Sequence, residues 1–116
     1  MDTTGLLLGL SNVGCGVLSV ALSVPLLMGR VKMNGLYGVR IKGALLSEEN
    51  WQKINRYGAK WTIVWSLPLV LIGLATFFVD FDGAGDARTA LITAFACAPL
   101  VLAIPAVQAY VYARRL

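Results

Sequence analysis

The sequence predicts an all-α membrane protein with three transmembrane helices and an interfacial amphipathic helix before the second. Of the 116 residues, 58% are hydrophobic, and a soluble domain of this size would expose large apolar patches. Nine of the ten Lys and Arg residues lie within residues 30–60 or at the tail pair Arg114–Arg115. Cations confined beside long apolar runs are typical of a protein that has lipid as its solvent.

The apolar runs are interpreted as three helical spans in a single membrane domain, residues 1–116. Each has about the 20 residues that a helix needs to cross the hydrocarbon layer. Helices are expected because a span in lipid must satisfy its own backbone hydrogen bonds, and no alternating barrel pattern is present. The predicted segments are a first span at 4–29, a loop with the interfacial helix at 30–60, a second span at 61–79, an outer loop at 80–88 and a third span at 89–113.

The order of the charges predicts the orientation. Asp2 precedes the first run, while Arg30 and Lys32 follow it, which is the reverse of a cleaved signal peptide. We therefore expect a retained anchor with the N-terminus outside. Three spans then place residues 30–60 and the C-terminus together on the cytoplasmic side, because cytoplasmic loops carry the excess of Lys and Arg.

A stripe of small residues marks one side of the first span. Lipid tails give no hydrophobic drive between helices, so small side chains that allow close backbone approach become the contact face. The favoured interpretation is packing inside one three-helix bundle, and a homodimer seam is the alternative. Asn12 is expected to form an interhelical hydrogen bond worth about 1 kcal/mol. The predicted helix-packing face consists of Gly5, Gly9, Asn12, Gly16, Ser19 and Ser23.

The second half of the 30–60 segment has a clear helix start. Ser47 is a good N-cap, and Glu48 and Glu49 follow where the helix dipole favours negative charge. Trp51 and Ile54 recur on one face, with cations around it. This pattern predicts an amphipathic helix on the membrane surface.

The first half of the segment contains turn signals. Asn34 and Gly35 form a turn pair, and Gly38 follows. Two interpretations of Arg40 are left open. In the first, Arg40 pairs with lipid phosphate or caps a helix C-terminus. In the second, it bonds to loop carbonyls or to Glu48 or Glu49 and so builds a fixed cytoplasmic surface.

The segment contains a motif of seven residues that begins at Asn34, includes Arg40, Trp51 and Asn55, and ends at Gly58. In order and spacing, this motif resembles the signature of the SdpI family of small bacterial integral membrane proteins. The resemblance implies location in the bacterial plasma membrane and a role in immunity or sensing, because the family's named member protects its bacterium from a secreted toxin. It implies no catalytic residues. The motif, taken as the candidate binding surface, consists of Asn34, Gly38, Arg40, Glu48, Trp51, Asn55 and Gly58.

Other functions are disfavoured by composition. The chain has no His, and its two Cys lie far apart, so no metal site and no cofactor is predicted. Nucleic acid is not expected, because attraction to anionic lipid heads explains the cations. We expect a non-enzymatic protein whose partner is the lipid bilayer. A peptide toxin, a regulator and a homo-oligomer remain open as further partners. The alternative functions are an accessory subunit of a membrane complex or, less favoured, a lipid-acting enzyme.

Overall fold

The computed structural model describes residues 3–116, and this part of the chain is helical without strands. Three of its segments are long and apolar enough to cross a membrane: Thr3–Leu27, Glu48–Thr76 and Asp82–Arg114. The predicted all-α class with three membrane-spanning helices is confirmed, and the chain is a multi-pass membrane protein. The α-helices are α1 (Thr3–Leu27), α2 (Glu48–Thr76), α3 (Arg88–Ala96) and α4 (Ala103–Arg114), with 3₁₀ turns at Ala44–Leu46, Asp82–Ala87 and Ala98–Leu102.

Helix α2 is one continuous helix of 29 residues, which contains both the segment predicted as an interfacial helix and most of the predicted second span. The hydroxyl of Ser47 caps it by accepting a hydrogen bond from the N–H of Asn50 at 3.0 Å. The helix then passes through Gly58 and Pro68 without interruption and ends at Thr76. Residues 48–60 are therefore the first turns of the helix that crosses the membrane.

Glycines bring α1 and α2 into close contact. A Cβ atom at Gly16 would lie 2.5 Å from Cγ2 of Val70, and one at Gly73 would lie 2.6 Å from the backbone nitrogen of Val13. Neither position leaves room for a side chain, so the backbones approach as small-residue membrane interfaces allow. Of the predicted packing face, Gly5, Gly9, Asn12, Gly16 and Ser23 are buried and Ser19 is half-buried.

The third span is interrupted at its centre. Pro99 has no backbone N–H, so the carbonyl of Phe95, four residues earlier, receives no α-helical hydrogen bond from this position. The chain there forms the 3₁₀ turn Ala98–Leu102 between α3 and α4. The buried side chain of Asn12 donates its Nδ2 hydrogen to the Phe95 carbonyl at 3.0 Å. Asn12 thus joins α1 to α3 at the Phe95 carbonyl, which has no α-helical donor at position 99.

Substitution of Asn12 tests this account. Asn12→Leu should lower the free energy of unfolding by about 1 kcal/mol, the usual size of an interhelical hydrogen bond in membranes. In a Pro99→Ala background, Asn12→Leu should cost less. The alanine at position 99 has a backbone N–H, which can bond to the Phe95 carbonyl in place of the Asn12 side chain. A double-mutant cycle in detergent measures this coupling, and equal costs in both backgrounds would contradict it.

Candidate functional site

The site lies at the end of the bundle where the segment between α1 and α2 folds back onto α2 and the end of α4. We call this the basic end, because residues 30–60 and Arg114–Arg115 carry nine of the ten cations. Its small core is built on three fully buried residues, Ala44, Trp51 and Ile54. Because Trp51 and Ile54 are covered by protein, this face of α2 packs inside the molecule. The half-buried residues around the core are Val31, Met33, Val39, Ile41, Tyr112 and Ala113.

Two adjacent side chains of α2 bind one carbonyl of the loop. The indole Nε1 of Trp51 donates to the carbonyl oxygen of Val31 at 3.0 Å. The amide Nε2 of Gln52 donates to the same oxygen at 3.1 Å. A carbonyl has two lone pairs, so both bonds form together and the acceptor is fully used. Gln52 was not among the predicted site residues. Its position directly after Trp51 in the sequence could have indicated that it also belongs to the site.

Asn55 binds the loop at a second point. Its Oδ1 accepts from the N–H of Val39 at 2.6 Å, and its Nδ2 donates to the carbonyl of Val39 at 3.2 Å. Nδ2 also donates to the carbonyl of Trp51 at 3.1 Å. The side chain is buried, with 1% of its surface exposed. One amide therefore satisfies both backbone groups of Val39, as a neighbouring strand would.

Gly38 is required at this junction on two grounds. Its φ is +108°, in the region that only glycine adopts readily. A Cβ there would also lie 2.7 Å from Oδ1 of Asn55 and 3.1 Å from Cζ2 of Trp51. Gly58 provides the matching approach on α2, where a Cβ would meet Cγ2 of Val39 at 3.2 Å. Both glycines let the loop lie directly on the helix.

Asn34 closes the tip of the loop. Its Oδ1 accepts from the N–H groups of Leu36 at 2.8 Å and Tyr37 at 2.7 Å, which is an Asx turn. The guanidinium of Arg40 donates to the carbonyl of Gly35. This contact belongs to the second of the two interpretations left open for Arg40, a bond to a loop carbonyl. The hydroxyl of Tyr37 donates to a carbonyl of α1, that of Leu22.

The acidic groups of the site are also engaged. The carboxylate of Glu48 accepts from the N–H of Met33 at 3.3 Å and from Nε2 of Gln52 at 3.1 Å. Glu49 pairs with Lys53 at 2.9 Å on the exposed side of α2. Every polar side chain of the motif therefore bonds to loop backbone, and the motif acts as a support for the loop. We call Trp51, Gln52 and Asn55, with the backbone of Val31 and Val39, the loop clamp.

The clamp leaves a basic, partly apolar surface turned outward. Leu36 at the tip is 93% exposed, and Leu46 after the 3₁₀ turn is 69% exposed. Arg40 and Lys42 lie between them in sequence and are exposed. No cluster of His, Cys, Asp or Glu able to hold a metal ion occurs among residues 3–116. The surface therefore combines exposed apolar side chains with positive charge.

Comparison with known proteins gives one family match. A model described as the SdpI/YfhL protein family matches residues 30–112, which include the whole loop, α2, α3 and most of α4. All seven motif residues fall inside this range. No curated protein and no solved structure matches the chain.

Proposed function

This chain belongs to the SdpI/YfhL protein family, and from that premise we propose a non-enzymatic role in immunity to, or sensing of, a secreted peptide toxin. The protein would act in the bacterial plasma membrane, with residues 30–46 as its recognition surface. The observation that carries the proposal is the loop clamp. It fixes two points of the loop, Val31 and Val39, with a buried tryptophan and a buried asparagine.

A fixed loop suits recognition because it loses little conformational freedom when a partner binds. The exposed Leu36 gives the surface an apolar anchor, and Arg40 and Lys42 add positive charge. An amphipathic toxin or a regulator with an acidic, apolar segment would complement both features. The regulator and the toxin would compete for this one surface.

The non-enzymatic part of the proposal is supported by the engagement of the candidate groups. An enzyme acting on lipid needs a nucleophile and an acid–base pair at the interface. The hydroxyl of Ser47 caps α2, and the carboxylate of Glu48 binds Met33 and Gln52. Glu49 pairs with Lys53 in the next turn. Each group thus has a structural role that accounts for its position.

We further propose that the basic end is cytoplasmic and the N-terminus is outside. All four lysines, Lys32, Lys42, Lys53 and Lys60, lie in the segment 30–60. A membrane-impermeant amine reagent added to intact cells should therefore modify none of them, and should modify them after the cells are opened. Mass spectrometry of the purified chain reads the result, and labelled lysines from intact cells would invert the topology.

The immunity proposal is tested in the bacterium that carries the gene. A deletion strain should stop growing when it is treated with the concentrated peptide fraction of its own culture fluid, and the wild-type gene should restore resistance. Leu36→Ser should reduce protection about tenfold, the effect of losing about 1.4 kcal/mol of contact. The side chain is 93% exposed, so the fold should not change.

Lys53→Gln is the matched control, because it removes a cation from α2 outside the recognition surface. It should protect as well as wild type, with equal amounts of each protein in the membrane. A deletion strain as resistant as its parent would contradict immunity. Stoichiometric co-purification of a second membrane protein in mild detergent would favour the accessory-subunit function instead.

A further inference from the structure

A cleft lies between the turn at residues 41–46 and the last turns of α4. Its volume is about 280 Å³, and it opens at the basic end. The turn lies against α4 at Gly43, where a Cβ would be in ordinary van der Waals contact with Cβ of Ala113 at 3.4 Å. The cleft is lined by Ile41, Lys42, Leu46, Tyr110, Ala113 and Arg114.

Two cations line the cleft without an acidic partner. Among residues 3–116, the ion pairs join Lys53 to Glu49 and Arg88 to Asp82, so neither Lys42 nor Arg114 is neutralised. The guanidinium carbon of Arg114 lies 5.9 Å from the centre of the Tyr110 ring. Stacking over a ring orients the guanidinium while leaving its N–H donors available. The pair presents two positive charges at one opening.

The remaining wall is apolar and open. Leu46 is 69% exposed and Tyr110 is 51% exposed, and Ile41 and Ala113 form the surface between them. A small soluble anion would use the cations but not this wall. An anionic amphiphile would use both, with its charge on the cations and its chain on the leucine and the aromatic ring.

We propose that this cleft binds one anionic phospholipid, whose phosphate contacts Lys42 and Arg114 and whose acyl chain lies against Leu46 and Tyr110. The cleft is formed by the loop on one side and α4 on the other, so the bound lipid connects them. Its occupancy would stabilise the turn at residues 41–46, which is the last part of the recognition surface. The site does not depend on the toxin-immunity function, because its ligand is a membrane component.

The test uses the full chain reconstituted in vesicles of equal phosphatidylglycerol and phosphatidylcholine, then extracted into mild detergent. Native mass spectrometry counts the lipids retained per chain. Wild type should retain one phosphatidylglycerol in preference to phosphatidylcholine. Lys42→Gln/Arg114→Gln should reduce this retention about 30-fold, the effect expected when two direct contacts to the phosphate are lost.

The matched control is Lys32→Gln/Arg115→Gln, which removes the same charge from the same end outside the cleft and should retain the lipid. Lys42→Arg/Arg114→Lys keeps the charge and should also retain it. Leu46→Ser, at an exposed position that does not support the fold, should weaken retention. Free glycerol phosphate added in excess should not displace the lipid, because it lacks the acyl chain. An unchanged thermal midpoint without added lipid verifies folding of each variant.

An equal loss of phosphatidylglycerol retention in the two glutamine double variants would overturn the proposal. It would show that the lipid is attracted to the overall surface charge and not bound at a specific site. Equal retention of both lipids by wild type would overturn it too. Displacement by glycerol phosphate would do so as well, because the cleft would then be a site for a free phosphate group.

Discussion

Asn55→Ala is expected to release the loop from α2 and to raise hydrogen exchange across residues 31–46 by about 30-fold. The substitution removes the acceptor for the N–H of Val39 and the donor to its carbonyl. Leaving a buried backbone group without a partner costs about 1–3 kcal/mol. Val39 is half-buried, so water can replace part of the loss, and a total near 2 kcal/mol is expected. That free energy corresponds to about 30-fold in the opening equilibrium.

Hydrogen exchange read by mass spectrometry on the purified chain measures this change. Asn50→Ala is the control, because it is the same substitution on the same helix and Asn50 uses only its backbone N–H in the cap of α2. Exchange in residues 31–46 should match wild type in this control. If Asn55→Ala also left the exchange of this segment unchanged, the loop clamp would not be what stabilises the loop.

Gly73→Ala is expected to force α1 and α2 apart and to lower the thermal midpoint by about 10 °C. The new Cβ would lie 2.6 Å from the backbone nitrogen of Val13 and 3.1 Å from the carbonyl carbon of Asn12. A backbone atom cannot rotate away as a side chain can, so the whole helix must move. Overpacking typically costs 1–3 kcal/mol, and the upper end of that range shifts the midpoint of a chain of this size by about 10 °C.

Circular dichroism in detergent follows the unfolding of this variant. Gly14→Ala provides the control, since Gly14 lies on the exposed side of α1 with no atom within 4 Å of its Cβ position. Alanine favours the helix slightly over glycine, so the control should be neutral or slightly more stable. A wild-type midpoint for Gly73→Ala would show that the two helices are not in the contact described here.

The bonding of the motif changes how its substitutions should be interpreted. Trp51 and Asn55 are buried and bind loop backbone, so replacing them tests the stability of the loop. Recognition is tested more directly at Leu36, which is 93% exposed. The proposed lipid cleft lies on the following turn and uses Lys42 and Leu46. The clamp is separate from both, whereas the recognition surface and the cleft share Lys42 and Leu46.

The sequence by itself determined the fold class, and the reason is solvent physics. Three long apolar runs in 116 residues require lipid around them, and their backbones then require helices. The start of α2 could be predicted from Ser47 because capping is a local interaction. It involves only the Ser47 hydroxyl and the backbone N–H of Asn50, three residues later. Recognition of the motif selected residues that lie together at the basic end, although it did not indicate what they bind.

Only the tertiary structure decided which groups meet. Asn12 bonds to Phe95, 83 residues away, and Asn55 bonds to Val39, 16 residues earlier in the chain. Sequence periodicity tells which face of a helix a residue occupies, but not which carbonyl of another segment lies opposite it. The same reason applies to the first turns of α2, at residues 48–60. Its apolar face, with Trp51 and Ile54, is covered by the folded loop, and that cover exists only once the chain has turned back on itself.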